Sequence, residues 1–258
     1  APETIVTFER AGHLATRLHD TTARVKAHYG QYVGQVPTGQ LQRSSETAER
    51  VAAIARESGL AWIDMVAGRI ESVVRYLMGD LPGGHEGVLR AMSHGDHVAR
   101  EVPLGFAHNP IATIPPVLAH IEWATGNTKA AVELIDETIT NLVRARADAN
   151  SIGFALTWAT LLGAFERDSD RVHAAGTHLL DHSTRTGGLF WGHIGNWGLG
   201  TAELLRGNAN GLVLAKAGSD GFVATGALQH VPFLKLSLVE GHTLYGDTAE
   251  ALAVVEEI

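Results

Sequence analysis

The residues best able to do chemistry in this chain are its histidines, of which there are 14 among 258 residues. His178 and His182 stand four apart on a predicted helix, with His173 little more than a turn earlier and Asp181 beside them. Two imidazoles at that spacing can share one face and one metal ion. A second group, His94-Gly95-Asp96-His97 with His108, falls in a predicted loop. Neither group has a third ligand at a diagnostic spacing, so solvated or capping histidines are the expectation and no metal or cofactor is assigned. The phosphate-cradling G-x-x-x-x-G-K-[ST] loop, the G-x-S-x-G elbow, H-E-x-x-H and the EF-hand loop are absent from the sequence. With no cysteine there is neither a thiol nucleophile nor a thiolate zinc site. Paired carboxylates such as Glu256-Glu257 read as a solvated face.

What positions these residues is a repeat. A two-residue corner recurs at Gly39-Gln40, Gly79-Asp80, Gly126-Asn127, Arg167-Asp168, Gly207-Asn208 and Gly246-Asp247, at spacings of 40, 47, 41, 40 and 39 residues. A fixed period in this range, with helical patterning on both sides of the mark, signifies stacked helix-turn-helix units. After Gly126 the apolar positions Ala131, Leu134, Ile135, Thr138, Ile139, Leu142 and Val143 trace one helical face. Pro82 suits the first turn of its helix, where the missing N–H costs nothing. Asp247 with Glu250 reads as a capping box. The fold expected is all-α: about six units of roughly 40 residues in a right-handed α-α superhelix, residues 1–258 forming one helical-repeat domain cut from a longer chain.

Counting from each corner gives a grammar. Leu118-Ala119, Leu199-Gly200 and Leu238-Val239 begin eight residues before it, and Ser44, Gly84, Ala131 and Ala251 lie five after it. A small residue there lets paired helices approach. Val172 and Leu212 take that place in the fourth and fifth units, which are therefore expected to pack more loosely. Gly211, Gly218 and Gly221 are expected to make residues 209–225 the floppiest helix. Residues 93–116, with four prolines, stretch one unit to 47 residues and read as a surface connector or a functional loop.

This grammar resembles the tetratricopeptide repeat, stretched from its usual ~34 residues. Over residues 105–258 the run GFAHNPIATIPPVLAHIEWATGNTKAAVELIDETI, Phe190-Trp191, Trp197 and the segment Thr225–Leu234 followed by Glu240 and Gly246 are similar to the helical-repeat tail of large bacterial signalling proteins. Those proteins join a nucleotide-cyclase-like or LuxR-type domain to an AAA-like ATPase. The resemblance implies a non-catalytic, protein- or peptide-binding regulatory module. It carries over no activity, because the catalytic domains of that family lie outside this sequence. A small-molecule or peptide sensor with a closed groove is the alternative, and a metal-dependent helical toroid a third reading.

Aligning the corners to one phase places Tyr29, Arg69, His120, Trp123, Thr157, Trp197 and Glu240 on an inner line, the expected partner-binding groove, although each of these residues could instead be core. Trp62, Trp158 and Trp191 are expected to pack on neighbouring units. The net charge of −8, with lysine and arginine scattered, excludes the electrostatic footprint of a nucleic-acid binder and disfavours acidic membrane surfaces. No apolar run is long enough for a membrane span, and a cytoplasmic setting is expected. The first helix (Ile5, Phe8, Ala11, Leu14) and the last (Ala249, Leu252, Val255) are expected to present apolar faces through which the array could self-associate.

Overall fold

A computed structural model describes residues 2–258, with every side chain among them except those of Pro2 and Asp96. The described residues form 14 helices and no strand. The fold is all-α, as the periodicity requires.

They divide into two compact units, residues 2–151 and 152–258, where the period alone suggests one continuous array. The first holds α1 (Pro2–Arg17), α2 (Thr21–Gln35), α3 (Leu41–Ser58), α4 (Ala61–Leu77), α5 (Leu81–Ser93), the short α6 (Gly95–Ala99), α7 (Ile114–Ala124) and α8 (Thr128–Arg144). The boundary falls near the start of α9 (Ala149–Glu166). The second unit continues with α10 (Ser169–Thr186), α11 (Leu189–Leu205), α12 (Gly211–Ala224), α13 (Val231–Leu244) and α14 (Thr248–Glu256).

All six corners turn through a left-handed residue: φ is +72° at Gly39, +84° at Gly79, +96° at Gly126, +57° at Arg167, +79° at Gly207 and +77° at Gly246. Such a residue ends a helix by redirecting the chain, and glycine takes that shape without a Cβ clash. Short connections of this kind make the flanking helices antiparallel neighbours. Aspartates then start several of the second helices. Asp80 accepts from the Gly83 N–H at 3.0 Å, and Asp168 from those of Asp170 and Arg171 at 3.1 and 3.0 Å. Pro82 sits in the first turn of α5. Asp247 precedes α14 but makes no side-chain cap. Its carboxylate lies 3.6 Å from His242 instead, so the capping box is not formed.

The small residues five after the corner are packing positions: Ser44, Gly84, Ala131 and Ala251 are all buried. On α8 the buried residues Ala131, Ile135, Thr138 and Leu142 follow at intervals of four, three and four, the spacing of one helix face. Full burial of each isoleucine or leucine there contributes about 1.5–3 kcal/mol.

The glycine-rich helix α12 departs from expectation. A methyl at Gly200 would overlap the backbone nitrogen of Ala215, and one at Gly218 would overlap that of Trp197. A Cβ at Gly176 would stand 3.1 Å from the Gly195 carbonyl oxygen, and one at Gly195 would stand 3.0 Å from that of Gly176. The glycines bring α10, α11 and α12 into backbone contact, so this region packs closely rather than loosely. In α1, Ile5 is buried against Gly34 and Phe8 lies half-buried on Gly30, which corrects the expectation for these two residues, while Ala11 and Leu14 of the same face are exposed as expected.

Candidate functional site

The long connector organises the first unit. α6 interrupts it, residues 100–113 are irregular, and α7 starts at Ile114. Proline cannot continue the backbone ladder, so this stretch is held by side chains from elsewhere. Asn150 Nδ2 donates to the Ala107 carbonyl at 2.7 Å, and the Asn109 N–H donates to Ser151 Oγ at 2.9 Å. Ser151 in turn donates to Asp148 at 2.6 Å. Inside the loop, Asn109 Oδ1 accepts from the Ile111 N–H at 2.9 Å.

Beneath it lies a buried polar cluster. Arg69, in the middle of α4, is 0% exposed. Its Nε donates to Thr113 Oγ1 at 2.9 Å, its Nη1 to the Tyr32 hydroxyl, and its Nη2 to His108 Nε2 at 3.1 Å. The Tyr29 hydroxyl also reaches His108 Nε2, at 3.0 Å, and the Tyr29 ring meets Phe106 edge-on at 4.9 Å between centroids. Tyr29 and Tyr32, three apart on α2, share the face that receives this loop. A guanidinium only donates, so His108 Nε2 must accept and the imidazole is neutral. Two turns along α4 from Arg69, Tyr76 Oη lies 3.1 Å from His120 Nδ1.

The electrostatics follow from burial. Burial works against the Arg69 charge, but the phenol oxygens of Tyr32 and Tyr29 outweigh it, and the guanidinium is held above its ordinary pKa. Burial pushes Tyr29 and Tyr32 up, and Tyr76 up to about 12. Burial, then the neighbouring Arg69 charge, hold His108 well below the ordinary histidine value. The cluster is thus a fixed cation ringed by neutral phenols and a neutral imidazole. Such an arrangement positions a loop; the His108 lone pair that could act as a base is engaged by Arg69 and Tyr29.

The inner line therefore divides. Tyr29 and Arg69 meet through His108, and His120 pairs with Tyr76 nearby, but all three are buried and line no open groove. Trp197 is likewise 0% exposed, its indole N–H donating to Ser237 Oγ at 2.8 Å and the Leu234 carbonyl at 3.1 Å. Thr157 is buried, its hydroxyl without a hydrogen-bond partner among the described residues. Trp123 is half-buried in the last turn of α7. Only Glu240 stands in solvent, accepting from Arg167 Nη1 at 2.8 and 2.9 Å. The stripe that the phase marks is core for most of its length. Trp62 and Trp158 are buried and Trp191 lies on Gly153, as expected of packing residues.

The histidine groups do not converge. His182 is buried while His173 and His178 face solvent. His94 bonds Asp64 at 2.9 Å, His97 is exposed and His108 turns inward; the Asp96 side chain lies outside the described residues. Among the described residues no group of three histidines or carboxylates could hold a metal ion. Spacing alone did not reveal Tyr32, His108 and Thr113 as members of the Arg69 cluster. The available hint was an extra-long, proline-rich connector carrying one aromatic-flanked histidine.

No family model matches the chain, and no curated protein matches it. Among solved structures it is similar to BtubC (BKLC) from P. vanneervenii, with a TM-score of 0.55 over 86% of this chain and 87% of that one, at 15% sequence identity. At that identity the likeness is one of all-helical fold. No helix of the described residues is long and apolar enough to cross a membrane.

Proposed function

We propose that the chain is a non-catalytic regulatory module that binds a protein or peptide partner, within a cytoplasmic bacterial signalling or transcription-regulatory protein. The observation that carries this reading is an uncovered apolar pair in the interior of the chain: Leu89 and Met92, one turn apart on α5, are 52% and 50% exposed. Two large apolar side chains three apart form a helix-face anchor of the kind that amphipathic partners use. The family resemblance of residues 105–258 supports the regulatory setting. Leu252 and Val255 on α14, similarly spaced and exposed, would serve a second partner or a second copy.

The test is selection of peptides on the purified chain, followed by titration against Leu89→Glu and Met92→Glu. Selected peptides that lose about tenfold or more in affinity on either change support the reading; an anchor residue removed from an interface costs on the order of 2 kcal/mol. Peptides that bind both variants as well as the parent, or the absence of any selectable peptide, would remove it. A sensor of small molecules is the second reading, and a cleft between α1, α2 and the long loop favours it.

A further inference from the structure

The loop fixed by His108 also closes one side of a cleft. Phe8 and Ala11 of α1, Ala27 and Gly30 of α2, and Phe106 of the loop surround about 200 Å³ of open space. That is room for roughly seven waters at liquid density. Phe8 lies directly on Gly30, whose missing side chain makes that contact possible. One charged group lines the cleft: Lys26, half-buried, with its ammonium 3.6 Å from the point where a Gly105 side chain would begin. No carboxylate among the described residues lies within ion-pair distance of it, whereas Arg24, Arg50, Arg75 and Arg90 of this unit each have one.

We propose that this cleft binds a small amphipathic monocarboxylate. Its apolar body lies against Phe8 and Phe106, and its carboxylate pairs with Lys26. The size of the space suits a short aliphatic or aryl chain. The single ammonium favours one negative charge, because a dianion would carry an uncompensated charge into apolar surroundings. Phe106 is held in place by its edge contact with Tyr29, and the loop by the His108 bonds, so the cleft is pre-formed and little ordering opposes binding. The site lies on different residues from the Leu89–Met92 face, so either assignment can fail alone.

The experiment is an NMR titration of the full chain with 3-phenylpropionate and with its neutral counterpart 3-phenylpropanamide. The acid is expected to bind with a dissociation constant on the order of 1 mM, as suits a ligand of this size. It should bind about fivefold tighter than the amide, the contribution of a partly exposed ion pair. Lys26→Met should erase that preference and Lys26→Arg should keep it. Ala11→Trp, a change on the exposed side of α1, should block both ligands. The proposal is overturned if the acid gives no saturable shifts around residues 8, 27, 30 and 106, or if its advantage over the amide survives in Lys26→Met.

Discussion

Arg69 and His108, 39 residues apart in sequence, meet at 3.1 Å inside the first unit, a guanidinium donating to a ring nitrogen that must stay unprotonated. The folded chain therefore resists adding a proton that the unfolded chain accepts. The sign is fixed by that difference. Above the ordinary histidine value of ~6.5 both states are neutral at this residue and its contribution is whole. As pH falls below that value the unfolded state takes up a proton and the folded state does not, so stability drops until the depressed folded pKa is passed.

Denaturant unfolding of the parent and of His108→Gln between pH 7.5 and 5 checks this. The glutamine can accept a hydrogen bond but does not titrate. The parent should lose up to about 1.4 kcal/mol per pH unit more than the variant below pH ~6. Parallel curves would show that His108 is solvated in the folded state.

Replacing Arg69 by methionine should destabilise the first unit by about 3–5 kcal/mol, because Tyr32, Thr113 and His108 would each lose a buried partner. Lysine should not rescue it, since a single ammonium cannot serve three acceptors placed around a planar fork. Urea denaturation of both variants decides the matter. A lysine variant as stable as the parent would mean that charge alone holds the loop.

The corners allow a matched pair of substitutions. Gly126 and Gly207 have open space where a side chain would start, so alanine there meets only the backbone cost of the left-handed shape, about 1 kcal/mol each. Arg167 already bears that cost at φ +57°, and its bonds to Glu240 are exposed and contribute little. Arg167→Gly should be neutral or stabilising by up to about 1 kcal/mol. Thermal melts of the three variants would expose an error if the glycine change lowered the midpoint by several degrees.

At Gly200 and Gly218 two effects oppose. Alanine gains about 1 kcal/mol of helix propensity over glycine. Its methyl, however, would overlap the neighbouring backbone, which cannot rotate aside as a side chain can. Overpacking costs typically about 1–3 kcal/mol and should win at both positions. If Gly218→Ala raises stability in a chemical melt, the close approach of α11 and α12 is wrong.

The contrast between these sites shows what the sequence makes legible. A corner is a local demand: one residue must take positive φ, glycine does so cheaply, and a 40-residue recurrence of glycine marks the helix ends to within a few positions. Which side of a helix is covered is not local. Tyr29, Arg69 and Trp197 recur at the phase of a groove, but the segments that cover them (residues 106–113 for the first two, α13 for the third) come from far along the chain. Loop residues carry no period, so nothing announces that His108 folds inward. The α12 glycines mislead for the same reason. Propensity describes an isolated helix, whereas their effect is set by the neighbouring backbone they admit.

The loop's attachments also impose an order on synthesis. Arg69 leaves the ribosome well before its partner His108, and the loop carrying His108 gains its remaining anchors only when Asn150 and Ser151 follow, 43 and 42 residues beyond the groups they hold. Until residues 108–113 emerge, α4 presents a hydrated cation in the middle of its apolar face, partnered from α2 by the Tyr32 hydroxyl. The early helices can form and associate during translation, but Arg69 is not enclosed until the loop has emerged, and the loop is not fully tied down until the chain has been made through residue 151. A stalled or truncated product ending before the loop would expose a wet seam where the finished protein is dry, a feature by which quality-control proteases could tell the two apart.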